Sequence, residues 1–162
     1  MKKFIISIDA GTTSNRSILF DLKGKPIFSS QKEFTQYFPK SGWVEHNPDE
    51  IWRTTIKTLK EVIQKAKSLK GEILSIGITN QRETTVLWDK KTGKPVYKAI
   101  VWQDRRTEDF CKKLRKQNKD TMVFNKTGLL IDSYFSGTKI KWILDNVPKA
   151  RQLMNKKQLL FG

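Results

Sequence analysis

The stretch that decides the fold of this chain is Phe4-Ile5-Ile6-Ser7-Ile8-Asp9-Ala10-Gly11-Thr12-Thr13-Ser14. Residues 4–8 form an apolar run rich in β-branched side chains, and a second apolar run follows at residues 17–20. Two such runs, separated by a short polar segment that contains a glycine, predict a β-hairpin. The chain is therefore expected to open with antiparallel strands and a polar tip.

The tip of this hairpin has the composition of a phosphate-binding turn. Gly11 allows the backbone to approach a ligand closely, successive backbone N–H groups can form an anion-binding concavity, and Thr12, Thr13 and Ser14 add hydroxyl donors. Asp9 ends the first strand and suits Mg2+, which binds one or two carboxylates together with substrate phosphates. An ordinary turn, capped by Asp and Ser/Thr hydrogen bonds, explains these residues equally well. The chain contains no Gly-x-x-x-x-Gly-Lys-Ser/Thr and no Gly-x-Gly-x-x-Gly, so any nucleotide would have to bind at this turn.

Length and composition predict a folded protein. The 162 residues suffice for one domain with a core, and a hydrophobic content of 37% with five Trp and nine Phe argues against disorder. The net charge of +16 raises the possibility of a nucleic-acid or membrane partner. Because the lysines and arginines are spread over most of the chain, a solvated basic surface is favoured, with no nucleic-acid or membrane partner.

The chain has one cysteine and one histidine, which limits the disulfides and the metal sites that it can form. Cys111 is the only cysteine, so no internal disulfide is possible, and its apolar helical neighbours predict a small buried residue. His46 is the only histidine, so no Cys/His zinc cluster is expected. No apolar segment is long enough for a signal peptide or a membrane span, and a cytoplasmic location is expected.

The remaining pattern predicts a mixed sheet flanked by helices. A third strand is expected at residues 27–28, a long surface loop at 32–46, and a helix that begins after Asn47 and ends near Gly71. The helix should bury one stripe of residues at spacings of four and three: Trp52, Ile56, Leu59, Ile63 and Ala66. A buried strand is expected at 73–78, further strands at 85–88 and 99–102, and helices that begin near Thr107 and at Ser136, the second closed by Pro148.

Polar residues follow two of these strands, where ligands bind in open α/β sheets. Arg82 offers a fork of donors and Glu83 offers acceptors, a pair that suits vicinal hydroxyls. Trp102 could cover the carbons of a polyol, and the phenol of Tyr134 could bond a hydroxyl. The alternatives are a solvated ion pair for Arg82 and Glu83, a core position for Trp102 and a helix cap for Tyr134.

Several motifs, in order along the whole chain, carry a family resemblance. Residues 9–14 resemble the first phosphate loop of the actin, Hsp70 and sugar-kinase superfamily. The sequence closely resembles the glycerol kinases of the FGGY carbohydrate kinase family at residues 42–46, 77–85, 99–103 and 134–142. This resemblance implies an RNase H-like fold and transfer of the ATP γ-phosphoryl group to a terminal hydroxyl of glycerol.

The resemblance also implies a role for each candidate residue. Four residues would contact the nucleotide phosphates: Thr12, Thr13, Ser14 and Arg16. Asp9 would position Mg2+ through water. Three residues would hydrogen-bond glycerol, namely Arg82, Glu83 and Tyr134, and Trp102 would pack against its carbons. Such roles fit phosphoryl transfer, which depends mainly on positioning and on neutralising phosphate charge.

Glycerol kinases are longer than this chain, so residues 1–162 are expected to be a partial N-terminal kinase domain that lacks the C-terminal lobe. The general base and the adenine site would lie beyond Gly162, and no catalytic residue is assigned within the chain. We expect no kinase activity from the chain alone, and an uncovered sheet edge with exposed apolar surface. The alternatives are a non-catalytic glycerol-binding fragment or a partner in a split kinase, a kinase for another sugar or polyol and, least favoured, a nucleic-acid-binding protein. A homo-oligomer or a complementing C-terminal fragment is a possible partner.

Overall fold

The computed structural model describes residues 2–162 as a mixed α/β chain with five helices. In chain order the elements are β1 (Lys2–Ala10), β2 (Ser14–Asp21), β3 (Pro26–Glu33), β4 (Glu45–His46), α1 (Pro48–Ser68), β5 (Gly71–Thr79), β6 (Leu87–Asp89), β7 (Ala99–Ile100), α2 (Glu108–Lys116), α3 (Asp120–Thr127), α4 (Ser136–Asn146), α5 (Pro148–Asn155) and β8 (Leu159–Phe161).

The chain divides into two compact units, each with its own core. Unit 1 comprises the residues up to Gln36 together with Asn47–Gln81, and unit 2 comprises Tyr37–His46 together with Arg82–Gly162. The assignment of residues 1–162 to one partial kinase domain stays a prediction.

Unit 1 is built on a four-stranded mixed sheet in the order β3-β2-β1-β5. The predicted meander is confirmed: β1 pairs antiparallel with β2, and β2 with β3. β5 returns parallel to β1, with Asp9 opposite Thr79. Because β1 and β5 are parallel, their carboxyl ends lie side by side at one end of the sheet. Alternate residues of β1 are buried in the core, namely Phe4, Ile6 and Ile8.

Helix α1 covers this core and begins as predicted. The Asn47 side chain accepts a hydrogen bond from Asp49 N, and Pro48 occupies the first turn. The predicted apolar stripe is partly wrong, because Trp52 is 65% exposed. The fully buried positions of the helix include Thr58, whose hydroxyl lies 2.9 Å from the hydroxyl of Ser17 on β2. The buried face is therefore shifted toward threonines that pair with polar groups of the sheet.

Strand β5 is confirmed as a strand, but the prediction that it is buried is wrong. It pairs with β1 and forms an edge of the sheet. Leu74 is 48% exposed, Ile76 is 44% exposed and Ile78 is 72% exposed. The apolar run alone could not distinguish an edge strand from a central one, because both can have the same composition. This edge matches the expected uncovered apolar surface.

Unit 2 contains two small antiparallel sheets with helices. β4 pairs with β7, and β6 pairs with β8. Its core includes Leu87, Ile100, Ile143 and Ala150. The loop predicted over residues 32–46 is shorter than expected, because β3 extends to Glu33 and β4 ends the segment. Helices α3 and α5 were not predicted.

A buried arginine holds the segment that follows β7. Arg106 Nη2 lies 2.8 Å from a carboxylate oxygen of Glu45 and 2.8 Å from one of Asp104, and its side chain is 1% exposed. Its guanidinium also stacks 3.8 Å from the ring centroid of Trp43. Burial lowers the pKa of Arg106, but hydrogen bonds to the two carboxylates outweigh it, so the pKa is raised overall. This network fixes the segment that follows Trp102 to the residues around β4.

The sequence also makes predictions about the single cysteine and about membrane-spanning segments. Cys111 is buried, as expected for a small core residue. Among the helices that the structure describes in residues 2–162, none combines the length and apolar character needed to cross a bilayer.

The Ser17–Thr58 contact generates a stability prediction. Thr58→Val removes the hydroxyl of Thr58, so the buried Ser17 hydroxyl loses this hydrogen-bond partner. The free energy of unfolding should therefore fall by about 1–3 kcal/mol. Thr55→Val is the matched control, because the Thr55 hydroxyl donates to Ile51 O within the same helix. Urea unfolding followed by circular dichroism measures both. Equal losses for the two variants would contradict this account of the helix–sheet contact.

Candidate functional site

The turn between β1 and β2 is tight, and Gly11 makes it possible. Gly11 N donates to Ser14 O across the turn at 3.0 Å. A Cβ added at Gly11 would lie 3.0 Å from that same carbonyl oxygen. Any side chain at Gly11 would therefore crowd the hydrogen bond that closes the turn. The requirement for glycine comes from this close approach.

Three glutamine amides hold the turn from within unit 1. Gln81 Nε2 donates to Gly11 O at 2.8 Å, and Gln36 Nε2 donates to the carbonyl of Thr12 at 3.2 Å. Gln31 Nε2 donates to the Ser14 hydroxyl at 2.8 Å. These bonds engage oxygens of the turn, which are acceptors. Anion binding uses donors instead, so this support leaves the chemistry of a phosphate cradle intact.

Asp9 and Arg16 lie opposite each other in the β1–β2 register and form an ion pair at 3.0 Å. Both side chains are partly exposed, at 38% for Asp9 and 45% for Arg16. A carboxylate has acceptor capacity beyond one arginine contact, so Asp9 fits a cation held mainly by water and phosphates. Within residues 2–162 no three His, Cys, Asp or Glu side chains gather into a metal cluster.

The structure brings the predicted phosphate residues together at one end of the hairpin. Thr12 and Thr13 lie in the turn, Ser14 begins β2, and Asp9 faces Arg16 across the strands. Each is at least partly exposed.

In unit 2, Glu83 is joined to the first turn of α4. Glu83 Oε2 accepts hydrogen bonds from Ser136 N at 3.0 Å and from the Ser136 hydroxyl at 2.8 Å. A carboxylate suits a helix N-terminus, where backbone N–H groups lack partners within the helix. Glu83 itself has a φ of 59°, a left-handed conformation that is uncommon outside glycine. Its position is thus set by contacts remote in sequence.

A buried lysine provides one of those contacts. Lys139, on α4, is fully buried, and its Nζ donates to Glu83 O at 2.9 Å and to the carbonyl of Tyr134. Burial lowers the pKa of Lys139 to about 8, although the negative charges of Glu83, Asp104 and Asp132 oppose the shift. Both hydrogen bonds survive deprotonation, because a neutral amine keeps two N–H donors.

Trp102 and Tyr134 pack together in the same unit. Their ring centroids are 5.9 Å apart in an edge-to-face arrangement, and Tyr134 also contacts Phe135 at 5.2 Å. Arg82 precedes Glu83 and is exposed. The structure thus brings the predicted Glu83, Trp102 and Tyr134 into one connected cluster, with Arg82 adjacent along the chain.

The sequence alone does not identify the residues that support the β1–β2 turn and the cluster in unit 2. Gln81 belongs to the polar segment that follows β5, yet no local signal in the sequence indicates that its amide reaches Gly11. Lys139 lies in the family-like segment 134–142, but a lysine is ordinarily expected at the surface. Only the tertiary structure identifies these two as supporting residues.

The sequence profile of the FGGY family of carbohydrate kinases, N-terminal domain, matches residues 4–161. The chain therefore belongs to the FGGY family of carbohydrate kinases. A glycerol kinase from Oceanobacillus iheyensis is 58% identical over 161 residues, which are 99% of this chain and 32% of that protein. The chain thus spans about a third of the length of the curated relatives it matches.

Solved structures agree with this assignment. The crystal structure of Plasmodium falciparum glycerol kinase with ADP superposes with a TM-score of 0.93 at 35% identity, covering 99% of this chain and 32% of that chain. A gluconate kinase from Lactobacillus acidophilus gives a TM-score of 0.82 at 23% identity, over 92% of this chain and 29% of that chain. The latter shows the fold alone. The predicted sugar-kinase fold of the actin and Hsp70 type is confirmed.

The Gln81–Gly11 contact predicts a pH-dependent loosening of the turn in Gln81→Glu. An ionised glutamate cannot donate to Gly11 O, whereas a protonated one can. Amide exchange at Gly11 should therefore be faster than in the unmodified chain by about tenfold at pH 7, with much of the difference lost near pH 4. Gln64→Glu on the exposed side of α1 is the control. An exchange ratio that is the same at both pH values would contradict the proposed bond.

The lowered pKa of Lys139 predicts a pH effect on stability. An unfolded lysine holds its proton up to about pH 10.4, so between pH 8 and 10 the unfolded state binds more protons than the folded state. The free energy of unfolding should therefore rise with pH in this window, by up to about 1.4 kcal/mol per pH unit relative to Lys139→Met. Urea titrations at pH 7, 8, 9 and 10 measure the difference. Lys141→Met, at an exposed ion pair with Asp145, is the control, and a difference that does not change with pH would contradict the burial of a titrating amine.

Proposed function

We propose that this chain is part of a kinase that transfers the γ-phosphoryl group of ATP to a terminal hydroxyl of glycerol. The observation that carries the proposal is the cluster in unit 2, where Lys139 links the main chains of Glu83 and Tyr134, the Tyr134 ring packs on Trp102, and the exposed Arg82 precedes Glu83 in the chain. Such a set offers donors, acceptors and one flat apolar face, which suits a small polyol. The relatives named glycerol kinase support glycerol over a larger sugar, at 58% and 56% identity.

On the substrate side, each residue has a separate task. Arg82 donates to glycerol hydroxyls, and the Tyr134 phenol bonds another. Ser136 occupies Oε2 of Glu83, so Oε1 is the oxygen that we assign to a glycerol hydroxyl. Trp102 covers the carbon chain, with its indole oriented by the contact with Tyr134.

On the nucleotide side, we assign Thr12, Thr13, Ser14 and Arg16 to the phosphates of ATP. Mg2+, when bound through water to Asp9, would neutralise charge on the phosphates. Arg16 is already paired with Asp9, so phosphate oxygens would compete for its guanidinium. Thr12, Thr13 and Ser14 would supply hydroxyl donors from a turn that the Gly11–Ser14 hydrogen bond closes, and positioned donors are the main contribution that phosphoryl transfer needs from a protein.

We further propose that the chain alone binds without turnover. The acids near the cluster are already engaged: Asp104 accepts from Arg106, Asp132 accepts from Arg105, and Glu83 accepts from Ser136. A general base must accept a proton from the glycerol hydroxyl, and we assign that task to none of these carboxylates: Glu83 Oε1 is assigned to binding, and Asp104 and Asp132 to holding arginines. By family resemblance, the base belongs to sequence beyond Gly162.

The expected setting is the cytoplasm, where ATP is available and a lone cysteine stays reduced. The partner that we favour is a complementing kinase segment, with a second copy of the chain as the alternative. The exposed edge of β5 offers such a partner unpaired backbone groups and the apolar side chains of Leu74, Ile76 and Ile78.

Isothermal calorimetry with glycerol tests the substrate assignment on the 162-residue chain. We expect saturable binding that weakens at least about tenfold in Arg82→Ala, because charged hydrogen bonds to the ligand are lost. Arg53→Ala, an exposed arginine on α1, is the matched control and should bind as the unmodified chain does. Equal affinity in both variants would reject the assignment of Arg82.

A coupled assay for glycerol-dependent ADP formation completes the test. The chain alone should give no ADP above the rate without glycerol. Clear turnover would contradict the proposed absence of a base and would require one among residues 2–162.

A further inference from the structure

We propose that Lys139 is the positioning residue of the glycerol site, because it joins the main chains of the two segments that carry Glu83 and Tyr134. This inference rests on the proposed function, which assigns both residues to glycerol. Its basis is one fully buried ammonium group that donates to both carbonyls, Glu83 O at 2.9 Å and Tyr134 O. No contact between Lys139 and the substrate is required.

Glu83 has a left-handed main-chain conformation. A non-glycine residue with φ of 59° persists only when its surroundings hold it there. Lys139 holds the carbonyl of Glu83, while Ser136 holds the carboxylate through Oε2. The residue is therefore fixed at both its main chain and its side chain, which leaves Oε1 in a defined place.

Lys139 also contacts Tyr134. The same Nζ binds the Tyr134 carbonyl and lies 6.0 Å from the centroid of the Tyr134 ring. The Tyr134 ring also packs edge-to-face on Trp102. The position of the Tyr134 main chain therefore determines where its ring contacts the indole. One amine thus fixes the spacing between the carboxylate, the phenol and the indole.

This arrangement has an electrostatic cost, because the Lys139 ammonium group is buried. Burying an ammonium group is unfavourable unless its hydrogen bonds and nearby charges compensate. The charged groups that act on Lys139 are Glu83, Asp104 and Asp132, which favour its charge, and Arg105, which opposes it. A purely apolar side chain would fill the same space without that cost, but it would leave both carbonyls without this donor.

Lys139→Met tests the inference, since it keeps a long apolar side chain and removes the donors. We expect glycerol affinity, measured by calorimetry, to fall at least about tenfold, with ADP affinity within about twofold of the unmodified chain. Lys141→Met is the control, because that lysine lies on the same helix and is exposed. A merely structural lysine would instead lower stability and leave the affinity of the folded protein for glycerol unchanged.

A second measurement does not depend on glycerol. The Ser136 amide donates to Glu83 Oε2, so its hydrogen exchange reports whether Glu83 stays in place. Exchange should be about tenfold faster in Lys139→Met and intermediate in Lys139→Gln, whose amide keeps donors without the charge. If the unmodified chain fails to bind glycerol, the proposed function is rejected, and the Ser136 exchange still decides whether Lys139 positions Glu83. Unchanged exchange in both variants, or unchanged glycerol affinity in a folded Lys139→Met, would overturn the inference.

Discussion

The parallel pairing of β1 with β5 is the constraint on which the arrangement of unit 1 depends. Because parallel strands share a direction, the polar residues that follow each of them come to one edge of the sheet. Gln81 follows β5 there and donates to Gly11, whose own N–H closes the turn after β1. The next residue along the chain is Arg82. The tight turn is therefore anchored by the very segment that leads into the polyol-binding candidates.

Unit 2 achieves its order in a different way, with buried cations at two points. Arg106 pairs with two carboxylates and stacks on Trp43. These contacts hold the segment that follows Trp102. Lys139 satisfies two carbonyls and so holds Glu83 and Tyr134. Buried charges are tolerated only when hydrogen bonds surround them, and such groups favour one arrangement of the chain over others. In both cases the charge stabilises loops that an apolar core alone would leave less defined.

Local signals in the sequence predicted what local physics determines, and they did less well where partners remote in sequence decide. The hairpin and the start of α1 at Asn47 follow from turn and capping chemistry, and the structure confirms both. Apolar spacing predicts that Trp52 is buried, but it is exposed. The spacing rule considers only apolar residues, whereas the buried face of α1 includes Thr58, which contacts Ser17 on β2. The burial of Lys139 opposes the usual behaviour of lysine and needed the tertiary structure. The family resemblance supplied the roles of the candidate residues, which remain proposals.

We propose two ligand-binding sets in the chain, one for phosphates at the β1–β2 turn and one for glycerol in unit 2. A two-dimensional NMR titration, first with glycerol and then with ADP and Mg2+, tests it most directly. We expect glycerol to shift the signals of Glu83, Tyr134 and the Trp102 indole, and ADP with Mg2+ to shift those of residues 11–14. The absence of saturable shifts at these positions, or shifts that lie mainly in α3 or α5, would contradict it.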